Sequence, residues 1–212
     1  MNPPTVSPTL STVHIIDDDS NDIRILHRLC ESVGLKVLCF ESPREFLNNF
    51  DPAQTGCVVT DLLMPEMTGL QLYTELRRQG SNIPIIVLTG HADAGTCRLA
   101  LHDGVFDYVE KSINPHDLLV VIGDAIAHDN RQSEERSVQQ SVQLRLKALS
   151  PREQEVAQVL ARGWSLKEIG SHFNISVQTA SKHRAKLFDK LNVGNEVELF
   201  KLLLRVDPSH AT

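Results

Sequence analysis

From Val13 to His128, short apolar runs rich in β-branched residues alternate with longer stretches whose apolar positions recur three and four apart. Val13–Ile16, Lys36–Phe40, Cys57–Thr60, Pro84–Leu88 and Phe106–Val109 are the predicted strands. The first, third and fourth are almost continuously apolar, as strands covered on both faces must be. Gly34, Gly80 and Gly104 close the amphipathic stretches between them, each where a helix C-cap glycine belongs. Strand–helix units at this spacing predict an α/β, doubly wound, five-stranded parallel sheet with right-handed crossovers, in about the ~120 residues such a domain needs.

The rhythm breaks after His128. Residues 129–147 open on the polar run Arg131–Arg136 and then place Val138, Val142 and Leu146 at helical spacing, the pattern of a linker that is helical in part. Those three residues suit a dimer stripe or packing on their own domains equally well. Residues 148–206 carry no strand pattern but many helix starts: Ser150-Pro151-Arg152-Glu153 and Ser165-Leu166-Lys167-Glu168 are capping boxes, Asn195-Glu196-Val197-Glu198 is a variant, and Ser176 is a further N-cap. An all-α domain of four helices follows, with only Phe173-Asn174-Ile175 between the second and the third, which is helix-turn-helix spacing. The tails, 1–12 and 207–212, are expected to be disordered.

Composition narrows the classes. Hydrophobic residues at 41% and charged residues at 23% are ordinary for a globular chain. The longest apolar runs, such as Leu118–Ile122, fall far short of a membrane span, and the first twelve residues lack the basic and apolar regions of a secretory signal. No membrane partner and a cytoplasmic location are the expectation. Cys30, Cys39, Cys57 and Cys97 show no C-x-x-C spacing, so they read as reduced thiols, and the histidines form no zinc pattern. The net charge of −6 conceals two halves: residues 1–149 hold 12 basic against 20 acidic side chains, and residues 150–212 hold 9 against 7. Only the second half has the sign that a phosphate backbone rewards.

Ligands of open parallel sheets bind at the carboxyl ends of the strands. After the first predicted strand stand Asp17-Asp18-Asp19, after the third Asp61, after the fourth Thr89 and after the fifth Lys111. Crowded carboxylates need a cation, and a hard-oxygen site beside a phosphate is what Mg²⁺ favours. A lysine and a hydroxyl next to that metal can hold phosphoryl oxygens, and a carboxylate can accept the phosphoryl group. Two other uses of the first acidic run stay open. Asp17–Asp19 suit a helix cap, and Asp17 with Asp19 after a strand also fits a phosphatase of the haloacid-dehalogenase type. His91 stands near the expected pocket rim, and Trp164 reads as core between helices.

On these residues the chain resembles a family. Asp17-Asp18, the run Asp61-Leu62-Leu63-Met64-Pro65-Glu66-Met67-Thr68-Gly69, Thr89-Gly90 and Lys111 look like the receiver domain of two-component response regulators. Ser150-Pro151-Arg152-Glu153, Lys167-Glu168-Ile169, and Thr179 through His183-Arg184 to Lys190-Leu191 are similar to the LuxR-type DNA-binding domain. Together they resemble the FixJ/NarL class of transcription factor, which is not an enzyme beyond taking part in its own phosphorylation and slow dephosphorylation. The resemblance implies that Asp61 is the phosphoacceptor and that Asp17, Asp18, Asp61 and the Leu63 carbonyl hold the metal. It implies that Lys111 contacts the phosphoryl group, and that Thr89 and Tyr108 form the switch. Implied partners are a sensor histidine kinase, promoter DNA with an imperfect palindrome, and a second copy of the chain on phosphorylation. The family's proline after the lysine is Ser112 here, which makes the Lys111–Ser112 peptide either trans or a cis bond costing ~2.5–4 kcal/mol. It also motivates a rival reading, a regulator that works without phosphorylation.

In the helix expected at Val177–Leu191, Ala180, Leu187 and Leu191 share one face and belong to the core. Ser181, Lys182, Ala185 and Lys186 then point outward with Arg184 at the flank, and with Thr179 they are the expected DNA contacts of a recognition helix.

Overall fold

A computed structural model describes residues 11–90 and 104–204. The tails apart from Ser11 and Thr12, and with them His91, Cys97 and the helix expected before Gly104, lie outside the described residues. The chain divides into two compact units at residues 133 and 134.

In the first unit, five strands alternate with helices: β1 Thr12–Ile16, α1 Ser20–Ser32, β2 Lys36–Phe40, α2 Pro43–Asn49, β3 Gly56–Asp61, α3 Gly69–Arg78, β4 Ile85–Thr89 and β5 Asp107–Glu110. All pairings are parallel, in the order β2-β1-β3-β4-β5. Strand ends differ from the sequence reading by a residue. Thr12 joins β1 because its N–H donates to the Thr55 carbonyl, and Asp61 and Thr89 are the last paired residues of their strands. Alternation along the strands gives the sheet two faces. Val13, Ile15, Cys57, Val59, Ile86 and Leu88 meet Leu26 and Cys30 of α1, whereas Ile16, Val58, Ile85 and Val87 meet Phe46 of α2 and Leu72 and Leu76 of α3. Both faces are covered, which explains the near-absence of polar residues in the central strands.

The next helix, α4, runs unbroken from Pro115 to Lys147. Residues 129–147, expected as a partly helical linker, are helical throughout. The stretch contains neither glycine nor proline after Gly123, and its Gln, Glu and Arg residues are strong helix formers. Leu118, Ile122 and Ala125 complete the α1 face of the sheet, and the buried Asp129 accepts the Gly56 N–H at 2.9 Å, which ties α4 to the start of β3.

The second unit contains α5 Pro151–Ala161, α6 Leu166–Phe173, α7 Val177–Leu191 and α8 Glu196–Leu204. Both predicted capping boxes are formed, at Ser150 with Glu153 and at Ser165 with Glu168. The turn between α6 and α7 is Asn174-Ile175-Ser176, one residue later than expected, because Phe173 still belongs to α6 and Asn174 takes the left-handed conformation that ends it. Val156, Leu160, Ile169, Ala180, Leu187, Leu191 and Leu199 form one core.

Candidate functional site: an acidic pocket at the strand ends

Three of the predicted strand-end residues converge at the carboxyl edge of the sheet. Asp17 follows β1 and is buried to 1% exposure, Asp61 ends β3, and Lys111 follows β5 with its N–H donating to the Thr89 carbonyl at 2.7 Å. The Lys111 ammonium lies 2.8 Å from Asp17 Oδ2 and 2.8 Å from Asp61 Oδ1. The other Asp61 oxygen accepts the N–H of Leu63 at 2.8 Å, which fixes the carboxylate against the loop that follows it. No peptide among the described residues is cis, so the Lys111–Ser112 bond is trans.

The acidic run after β1 divides by function. Asp19 is the helix cap, its carboxylate accepting the Asn21 N–H at 2.7 Å, so the capping use is realised by that residue alone. Asp17 turns inward and accepts the Asp19 N–H at 2.9 Å. Asp18 is exposed. Burial pushes the Asp17 carboxyl upward, and the hydrogen bonds from Lys111 and from the Asp19 amide oppose that push. Burial also acts against the Lys111 cation, yet its bonds to three carboxylates outweigh it and hold the amine above the ordinary lysine range. Lysine is therefore charged here and offsets one of the three carboxylate charges around it.

The third carboxylate was not foreseen. Asp22, in the first turn of α1, brings its Oδ2 to 2.7 Å from Lys111 Nζ. Its only signal in the sequence is its position one turn after an acidic loop, where a helix start accepts Asp for its dipole alone.

Thr89 is buried at the end of β4, and Leu63 is exposed beside Asp61. Tyr108 lies inside β5, paired with Val87, and packs on the α3 face of the sheet. Gly69 sits where a Cβ would come within 2.6 Å of the Asp61 carbonyl, so the loop after Asp61 closes only over a residue without a side chain. Among the described residues no three acidic, histidine or cysteine side chains are grouped closely enough to cage a metal ion. Asp17 and Asp61 share an ammonium instead. Their donor set is nonetheless hard oxygen throughout, which suits Mg²⁺.

In the second unit, α7 turns Ala180, Leu187 and Leu191 into the core and leaves Ser181, Lys182, Ala185 and Lys186 exposed. Thr179 is half-buried, its N–H donating to Ser176 Oγ at 3.1 Å and its hydroxyl 2.8 Å from the same oxygen. Arg184 is occupied within the unit: its Nε lies 2.6 Å from Glu196 Oε1, and its guanidinium stacks 4.2 Å above the Phe188 ring. Trp164 packs at the edge of the core and meets His172 edge-on at 5.1 Å.

Comparison with known proteins agrees with this division. The response regulator receiver domain model matches residues 13–123, and the model of the luxR family of bacterial regulatory proteins matches residues 147–203. The chain is 32% identical over 199 residues to the response regulator protein TmoT of Ectopseudomonas mendocina, covering 94% of this chain and 90% of TmoT. It is 32% identical over 197 residues to the transcriptional regulatory protein FixJ of Bradyrhizobium diazoefficiens, covering 93% and 96%. The solved structure of the response regulator StyR superposes with a TM-score of 0.86 at 30% identity, covering 91% of this chain and 98% of that one. The chain belongs to the response regulators that join a receiver domain to a LuxR-type DNA-binding domain and regulate transcription. No helix among the described residues is long and apolar enough to cross a membrane.

Proposed function

We propose that Asp61 accepts a phosphoryl group from the phosphohistidine of a sensor histidine kinase. The phosphorus–nitrogen bond breaks as a phosphorus–oxygen bond to the Asp61 carboxylate forms, and the released imidazole takes up a proton. The observation that carries this reading is the shared ammonium: Lys111 reaches Asp61 and the buried Asp17 at once, so a positive charge already stands where phosphoryl oxygens would arrive. Asp17, Asp18, Asp61 and the Leu63 carbonyl would hold Mg²⁺, which supplies further neutralisation of the phosphoryl charge. Thr89 on β4 and Tyr108 on β5, two positions apart in the register, form the switch, and the phosphorylated chain favours a dimer that binds promoter DNA at an imperfect palindrome. On α7, Lys182 and Lys186 read base edges, with Thr179, Ser181 and Ala185 on or beside the same face.

Incubation with acetyl phosphate and Mg²⁺, followed by peptide mapping, tests the acceptor. Label on Asp61, abolished by Asp61→Asn, is the expected result. Label on Asp17 would favour the phosphatase chemistry, and no label at all would favour a regulator that works without phosphorylation.

A further inference from the structure

Lys111 is claimed from two sides. Its backbone is fixed by the hydrogen bond to the Thr89 carbonyl, while its ammonium is shared by Asp61 and Asp17 on the sheet and by Asp22 on α1. Asp22 is 35% exposed, more than either of the other two, and it lines the polar end of a cavity of about 160 Å³ whose remaining wall is Ile25, Leu26, Leu29, Leu88, Ile113 and Leu118. Apolar walls exclude water from one side of the Asp22–Lys111 pair and so strengthen it relative to an open surface pair.

We propose that Asp22 is a positioning residue that restrains Lys111 and thereby slows phosphoryl acceptance. The inference rests on Asp61 being the acceptor. Since the Asp22 and Asp61 oxygens both touch one nitrogen, they lie no more than two hydrogen-bond lengths apart. Phosphorylation adds negative charge at Asp61 and calls on Lys111 to donate to a phosphoryl oxygen, whereas Asp22 holds part of that donor capacity and repels the incoming anion. Acceptance is therefore set by how readily Lys111 leaves Asp22, and α1 feels the change because the residue released stands in its first turn.

The test is the rate of Asp61 labelling of the full-length chain by acetyl phosphate with Mg²⁺, a step in which the donor's phosphorus–oxygen bond breaks, acetate leaves and the bond to Asp61 forms. Asp22→Asn keeps the shape and removes the charge, and it is expected to label about three- to tenfold faster than wild type. Asp22→Glu keeps the charge and is expected to return the rate to within about twofold of wild type. With Lys111→Ala in the background, the advantage of Asp22→Asn is expected to shrink toward one, because the residue acts through that lysine. Equal rates for wild type and Asp22→Asn, a common change in Asp22→Asn and Asp22→Glu, or an undiminished advantage in the Lys111→Ala background would each overturn the proposal. Wild-type chain that takes label elsewhere than Asp61 would overturn the acceptor assignment instead.

Discussion

Glu153 and Lys190 join the first and third helices of the DNA-binding unit, carboxylate to ammonium at 2.6 Å, with the Glu153 side chain only 6% exposed. The same carboxylate accepts the Ser150 N–H at 2.8 Å, so one side chain closes the cap of α5 and ties α5 to α7. Lys190, and after it the Ser150 amide, hold its pKa down to about 2. A carboxyl whose folded-state pKa is depressed contributes stability that is present above its ordinary value near 4.5 and is lost as pH falls toward 2. Glu153→Ala is expected to cost the second unit about 1–3 kcal/mol at neutral pH, from the lost cap and the lost charged hydrogen bond together. Trp164 emission during urea unfolding measures it, and the variant is expected to lose part of the pH dependence between 4.5 and 2.

His14 titrates with the same sign in a higher window. It is 1% exposed within β1, with Phe40, Phe46 and Phe50 around its ring and its Nδ1 without a hydrogen-bond partner. Burial, and then the charge of Lys36, lowers its pKa from 6.5 to about 4. Between these values the unfolded chain binds a proton that the folded chain refuses, so stability falls as pH drops through this window, by at most about 3 kcal/mol. His14→Phe is expected to flatten the dependence of the receiver unit's unfolding midpoint between pH 6.5 and 4. An unchanged slope in the variant would mean that other groups carry it.

Gly69 bears on the site through its backbone, whose N–H donates to the Leu62 carbonyl at 3.0 Å, and through the space it leaves. Its backbone approaches the Asp61 carbonyl and the Thr60 Cγ2, which an added Cβ would meet at 2.6 and 3.1 Å. Gly69→Ala is expected to destabilise the receiver unit by about 1–3 kcal/mol and to slow Asp61 labelling, because the loop must retreat from the end of β3. Chemical denaturation and the acetyl phosphate assay, run on one preparation, check both effects.

On α7, exposed Lys182 and internally bound Arg184 are expected to respond differently to substitution. Lys182→Ala is expected to cost ~1–3 kcal/mol on a preferred site with relaxed discrimination at one base position, and to leave the melting of the unit unchanged. Arg184, bound to Glu196 and stacked on Phe188, is expected to behave differently: Arg184→Ala lowers the stability of the unit by about 1 kcal/mol. A binding-site selection over a salt series, paired with thermal melts of both variants, distinguishes the two roles.

Much of this was legible before any coordinates. The strand order of chemistry, Asp17, Asp61, Thr89 and Lys111, follows from the rule that parallel strands deliver ligands at their carboxyl ends, and the capping boxes located α5 and α6 to the residue. What the sequence could not display depends on side chains meeting across elements. Asp22 reads as an ordinary acidic residue in a first turn, and only the approach of α1 to the end of β5 makes it a partner of Lys111. Arg184 reads as a basic flank until Glu196, twelve residues on, returns beside it. The full extent of α4 was read only in part for a different reason: the polar run Arg131–Arg136 carries no apolar periodicity, while helix propensity without a glycine or proline is enough to continue a helix already begun.

The all-parallel pairing of the sheet has a kinetic side. Paired residues of neighbouring strands in the order β2-β1-β3-β4-β5 lie 21 or more positions apart along the chain, as Ile86 does from Asp107, so every rung of the ladder closes a long loop before it is rewarded. The four short helices of the second unit make their backbone hydrogen bonds locally, and although α5 packs on α7 and α8 they close no strand ladder. A newly made or refolding chain is thus expected to acquire its DNA-binding fold ahead of its sheet, leaving an interval in which Lys182 and Lys186 are already displayed while Asp17, Asp61 and Lys111 have yet to meet.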